Sequence, residues 1–159
     1  MMSKKLVYLE TSVISYLAAR PSRNLVVAAH QSITEEWWRQ RRRRFQEVIS
    51  EIVLEEAQQG SPEAAKRRMD ILRNIPFIPI AENSLRLADI LIQSGAVPLK
   101  AAQDALHIAV CCTNNIDFLL TWNCKHIANA EKRGHIEDTA RQNGFTAPVI
   151  CTPEELLGE

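Results

Sequence analysis

Short apolar runs alternate with longer amphipathic stretches along this chain of 159 residues, and that alternation restricts its fold more than any other feature. The runs fall at residues 6–9 (LVYL), 48–50 (VIS), 77–80 (FIPI), 118–120 (FLL) and 149–150 (VI). Each is too short for a helix and suits a buried strand. Strands separated by helical segments indicate a parallel sheet covered on both faces. The expected fold is therefore α/β, an α/β/α sandwich with a short central parallel sheet, and the length suits one domain over residues 1–159.

The segments between the runs carry helix signals. Thr11 or Ser12 can cap a helix over 13–19, closed by Pro21. Residues 24–46 read as one long helix, with Leu25, Val26, Ala29, Ile33, Trp37 and Trp38 at helical spacing before a run of arginines. Helices follow over 51–59, stopped by Gly60, and over 62–73, capped by Ser61 with Pro62 at its first position. Asn83 or Ser84 caps the next, which ends at Gly95. The run at 77–80 is flanked by prolines and suits a sheet edge. From Lys100 a helix carrying Asp104 leads through a polar turn at Asn114-Asn115 into the strand at 118–120, which ends in Thr121, Trp122 and Asn123. Helices over 124–133 and 136–143, separated at Gly134, and a terminal turn over 153–157 complete the chain.

Charge and cysteine content narrow the function classes. The formal net charge is zero, so the chain exerts no global pull on nucleic acid, but Arg39 and Arg41 to Arg44 gather positive charge in one stretch. That stretch is either a solvated helix end or a phosphate-contacting patch beside a site, with Trp37 and Trp38 as core residues or stacking platforms. Cys111, Cys112, Cys124 and Cys151 form no CxxC pair, which suits reduced thiols and a cytoplasmic location. No apolar run approaches membrane-spanning length, and no signal peptide is expected.

Three acids stand at strand ends or beside apolar helix faces: Glu10, Glu56 and Asp104. Converging carboxylates repel one another, and a hard divalent cation such as Mg²⁺ or Mn²⁺ relieves that repulsion. Each acid also has a plainer role: Glu10 as a helix cap, Glu56 on an exposed face with Glu51 and Glu55, and Asp104 in an ion pair with Lys100. Asn123 can be an Asx-type cap. His107, at i+3 from Asp104, is either a satisfied helix residue or a group approaching the site, and His126 is equally open.

The segments LVYLETSVISYL, VISEIVLEEAQQG, AAQDALHIAV and FLLTWN, taken in order, resemble the four motifs of the PIN domain, a nuclease fold that includes the VapC-type toxins of prokaryotic toxin–antitoxin pairs. The resemblance assigns Glu10, Glu56, Asp104 and Asn123 to the catalytic site. Glu10, Glu56 and Asp104 become ligands for Mg²⁺ or Mn²⁺, and Thr11, Ser12 and Thr121 contacts to substrate or water. It implies an endoribonuclease acting on RNA, an antitoxin partner and a homodimer. Glu10 stands where the family usually has Asp, and Asn123 replaces a charged ligand with a neutral one that still offers a carbonyl oxygen. A PIN-fold module that binds RNA or a protein without cutting is the alternative. A Rossmann-like nucleotide enzyme is disfavoured, because no glycine-rich loop follows the first run.

Overall fold

Lys5–Leu9 forms strand β1, whose burial deepens from an exposed Lys5 to fully buried Val7, Tyr8 and Leu9. The computed structural model describes residues 3–158, and in it this strand lies inside a four-stranded sheet. Strand β2 (Phe45–Val48) flanks it on one side, β3 (Phe118–Leu120) on the other, and β4 (Val149–Cys151) lies beyond β3. All pairings are parallel, with Lys5 opposite Phe45, Leu9 opposite Leu120 and Leu120 opposite Cys151. Full burial of Leu9, Leu119 and Leu120 is what a parallel sheet covered on both faces requires.

Among the described residues seven α-helices surround the sheet: α1 (Thr11–Ala18), α2 (Leu25–Gln40), α3 (Glu51–Ala57), α4 (Pro62–Leu72), α5 (Glu82–Gln93), α6 (Ala102–Thr113) and α7 (Ala130–Gln142). Helix α1 packs on α2, α3 and α4, whereas α5 packs on α6 and α7. The chain leaves β1 toward β2 in one direction and β3 toward β4 in the other. Right-handed crossovers then carry their helices to opposite faces, an arrangement compatible with the expected sandwich. The direction reverses between β1 and β3, and ligands of open parallel sheets bind outside the carboxyl ends of the strands at such a point. Among the described residues no helix is long and apolar enough to cross a membrane.

Local chemistry explains where several elements stop. Asn24 caps α2 by accepting from the backbone of Val26 and Val27, and Ser61 caps α4 by accepting from Ala64. Helix α6 ends at the expected polar turn. Asn115 adopts φ 53°, and the Ile116 N–H reaches back to Cys111 O at 3.1 Å, which closes the helix in a Schellman turn.

Several boundaries depart from the sequence expectation, among them the strand expected at 48–50, which lies at Phe45–Val48. The long helix over 24–46 ends at Gln40; Arg42–Arg44 form a 3₁₀ turn and Phe45 already belongs to β2. Phe45 is drawn into the sheet by Trp37 and Phe118, with ring centroids at 6.0 and 5.7 Å, so tertiary packing overrides the local helical pattern. The run at 77–80 contributes only a single bridge between Phe77 and Ile49, consistent with its prolines. Residues 124–128 are turns rather than helix. Gly134 interrupts nothing, since α7 runs through it.

Candidate metal site at the carboxyl ends of β1 and β3

Glu10 follows β1 directly, and its N–H donates to Leu120 O at 3.1 Å, so the residue is fixed to the end of β3 as well. It is 5% exposed. It occupies the N-cap position of α1, yet its side chain caps nothing. Instead the carboxylate turns toward β3. Oε1 accepts from Thr121 Oγ1 at 2.6 Å and from Ser12 Oγ. Each hydroxyl is itself fixed by a backbone donor: Trp122 N–H donates to Ser12 Oγ at 2.8 Å and Asn123 N–H to Thr121 Oγ1 at 2.9 Å. A hydroxyl whose lone pair receives an N–H keeps its one proton for the carboxylate. The Glu-Thr-Ser turn after β1 and the Thr-Trp-Asn turn after β3 thus lock each other, and Glu10 is the joint.

Glu56 reaches the same place from α3, where it sits half-buried in the last turn. A carboxylate at a helix C-terminus faces the unfavourable end of the dipole and needs compensation. Thr11 Oγ1 donates to Oε1 at 2.6 Å, and His107 Nε2 lies 2.6 Å from the same atom. Burial pushes the Glu56 carboxyl up, but the facing His107 imidazole and the Thr11 hydroxyl outweigh it and hold the group below the usual carboxylate range. The turn beneath is stapled by Arg68, whose Nε donates to Ala57 O at 2.8 Å.

His107 is fully buried on α6. Its Nδ1 lies 2.7 Å from the Tyr8 hydroxyl, which in turn lies 2.7 Å from Ser50 Oγ. Burial, reinforced by the neighbouring Cys111, pushes the Tyr8 phenol well above its usual value against the opposing Ser50 hydrogen bond. Tyr8 is therefore a neutral hydroxyl that can donate or accept. Glu10, Glu56 and His107 present one ligand atom each, all within 4.8 Å of one another, a set that could hold a metal ion. In both carboxylates Oε1 takes the hydrogen bonds, and Oε2 has no such partner among the described residues. Hard carboxylate oxygens brought this close together fit a divalent cation.

The other expected site residues fall nearby with different fates. Asp104 is half-buried in the first turn of α6, one turn before His107 on the same face. It forms no ion pair with Lys100 or any other described residue, and it lies outside the 4.8 Å set. Asn123 follows the plainer expectation: its Oδ1 accepts from His126 N at 3.1 Å. Thr11, Ser12 and Thr121 all serve the carboxylates directly rather than standing free for substrate. His107 is the residue the sequence undervalued; its spacing from Asp104 was the available signal.

The arginine run is not beside this site. Phe45, which follows it, pairs with Lys5 at the start of β1, whereas Glu10 follows the end of that strand. Five residues of extended chain, about 16 Å, separate the two levels. There Arg42 lies over the Trp38 ring at 3.9 Å. Trp37 is fully buried core, and neither tryptophan serves the carboxylate site as a stacking platform. Four free cysteines complete the inventory, with Cys111, Cys112 and Cys151 buried and Cys124 exposed.

Comparison with protein-family models, curated proteins and solved structures returned no match.

Proposed function

We propose that the chain is a metal-dependent ribonuclease of PIN type, the toxin of a type II toxin–antitoxin pair. The observation that carries this reading is the meeting of Glu10 and Glu56 at the point where the sheet changes direction, each held by one oxygen with the other unclaimed. Glu10 and Glu56 would hold the ion, with Asp104 completing the acidic wall from α6. A divalent ion in such a place supplies Lewis acidity toward a phosphate oxygen and a bound water that loses its proton near neutral pH. The protein's share is positional. Thr121 and Ser12 fix the Glu10 carboxylate, and Thr11 and His107 fix that of Glu56. Asp104, without an ion-pair partner among the described residues, would add its carboxylate from α6, one turn before His107. An antitoxin and a second copy of the chain are the partners this reading supplies, in the cytoplasm.

The test is cleavage of structured and unstructured RNA with Mg²⁺ or Mn²⁺, using Asp104→Ala as control. Metal-dependent cleavage that the variant loses while its thermal unfolding is unchanged supports the assignment. Equal cleavage by both proteins removes Asp104 from the site. One observation favours a second reading, a PIN-fold module that binds RNA or a protein without cutting: the Asn123 side-chain oxygen accepts from the His126 N–H in a turn, the position from which it would otherwise serve a cation. Calorimetric titration separates the two, since absence of Mg²⁺ and Mn²⁺ binding at millimolar concentration favours the module.

A further inference from the structure

We infer that His107 is a nitrogen ligand of the ion, held ready by the Tyr8–Ser50 pair, and that the site therefore takes Mn²⁺ in preference to Mg²⁺. This rests on the metal-site part of the reading above but not on the reaction catalysed there.

A buried imidazole on an acidic pair is ordinarily explained as an ion pair. Three observations go further. His107 Nε2, fully buried, belongs to the same 4.8 Å set as the two carboxylates. Ligands at right angles on an ion with bonds of 2.0–2.1 Å stand about 3 Å apart. The present Nε2 to Oε1 contact of 2.6 Å is a hydrogen bond, which ligation of Nε2 would replace. The decisive feature is on the other side of the ring. A ligating histidine carries its proton on the nitrogen away from the metal and donates it to a fixed acceptor. Nδ1 faces the Tyr8 hydroxyl at 2.7 Å, and that hydroxyl faces Ser50 Oγ at 2.7 Å.

Both contacts work in either direction. Without metal, Ser50 donates to Tyr8, Tyr8 donates to Nδ1, and Nε2–H donates to Glu56. With metal, Nδ1–H donates to Tyr8, Tyr8 donates to Ser50, and the Nε2 lone pair faces the ion. The two arrangements of the neutral ring hold the same number of protons, so the chain reverses without an external acid or base being consumed. A phenol O–H can donate to one partner while accepting from the other, so it serves both arrangements. Imidazole beside carboxylates suits first-row transition ions, whereas Mg²⁺ favours an all-oxygen shell and dehydrates reluctantly.

Calorimetry with Mn²⁺ and Mg²⁺, and electron spin-echo modulation of the Mn²⁺ complex, test the inference on the full chain and on His107→Gln. The expected result is Mn²⁺ binding at least tenfold tighter than Mg²⁺ and a nitrogen-14 modulation in the wild type. In His107→Gln the modulation disappears and the two affinities converge. Bound Mn²⁺ without nitrogen-14 modulation in the wild type overturns His107 ligation and leaves the carboxylate site standing. Modulation that persists in a folded His107→Gln does the same. No Mn²⁺ binding by the wild type overturns both the ligation and the metal site.

Discussion

The hydroxyl of Tyr8 and Nδ1 of His107 lie 2.7 Å apart, joining an inner strand of the sheet to the helix that carries Asp104. Both residues are fully buried, and Ser50 extends the contact to the start of α3. Tyr8→Phe keeps the ring packing but leaves Nδ1 and Ser50 Oγ without this partner. An unsatisfied buried polar group costs about 1–3 kcal/mol, so urea unfolding should show a loss in that range or above. Ser50→Ala should cost less, and the double variant should lose less than the sum of the singles because both act on one chain of hydrogen bonds. Additive losses would mean that Ser50 and His107 are not linked through Tyr8.

Thr121 tests whether the hydroxyl scaffold matters to the site or only to the turn. Thr121→Val preserves shape but removes the proton donated to Glu10 and the acceptor used by Asn123 N–H. Loss of a group that orients a metal ligand typically lowers affinity 10–100-fold. Calorimetry should show Mn²⁺ binding weakened by about that factor, with Thr121→Ser close to wild type. An unchanged affinity in the valine variant would confine Thr121 to a structural role.

At Asn123 the expected roles of ligand and cap separate cleanly. Asn123→Ala removes the acceptor for His126 N–H and should lower stability by about 0.5–2 kcal/mol, as for other cap losses, while Mn²⁺ affinity stays within about twofold. Asn123→Asp retains the acceptor and adds charge near Glu10, so Mn²⁺ should bind more tightly. A large affinity loss in the alanine variant would return the Asn123 oxygen to the ion.

How far these features could be read in advance depends on whether the signal is local. The strands at 6–9 and 118–120, the cap at Ser61 and the turn at Asn114-Asn115 were legible because neighbouring residues decide them. Phe45 was not, because its partners Trp37, Lys5 and Phe118 are assembled by the sheet. The same holds in the site. Glu10 and Glu56 were marked by their places at a strand end and in a helix, and the structure brings them together. The hydrogen bond from His107 to Glu56 joins α6 to α3 across 51 residues of chain, and the spacing of His107 from Asp104 hints at the site without naming Glu56 as the partner. Asn123, by contrast, was ambiguous from the outset, since one carbonyl oxygen suits a turn and a cation equally well.

Glu47 offers a pH test at the far end of the sheet. Its Oε2 is buried without a hydrogen-bond partner, and burial raises the carboxyl above its usual range despite the opposing charges of Arg42 and Lys4. A carboxyl raised in the folded state favours the protonated form there. Its contribution to stability is therefore full below the unfolded glutamate value and is lost as pH rises through the folded one. At neutral pH the wild type bears the cost of a desolvated carboxylate, which Glu47→Gln removes. Thermal unfolding should show the variant more stable than wild type at pH 7, with the difference shrinking as the pH falls to about 4, where glutamate in the unfolded chain also protonates. A variant less stable at pH 7 would show that Arg42 and Lys4 hold Glu47 as a favourable charge.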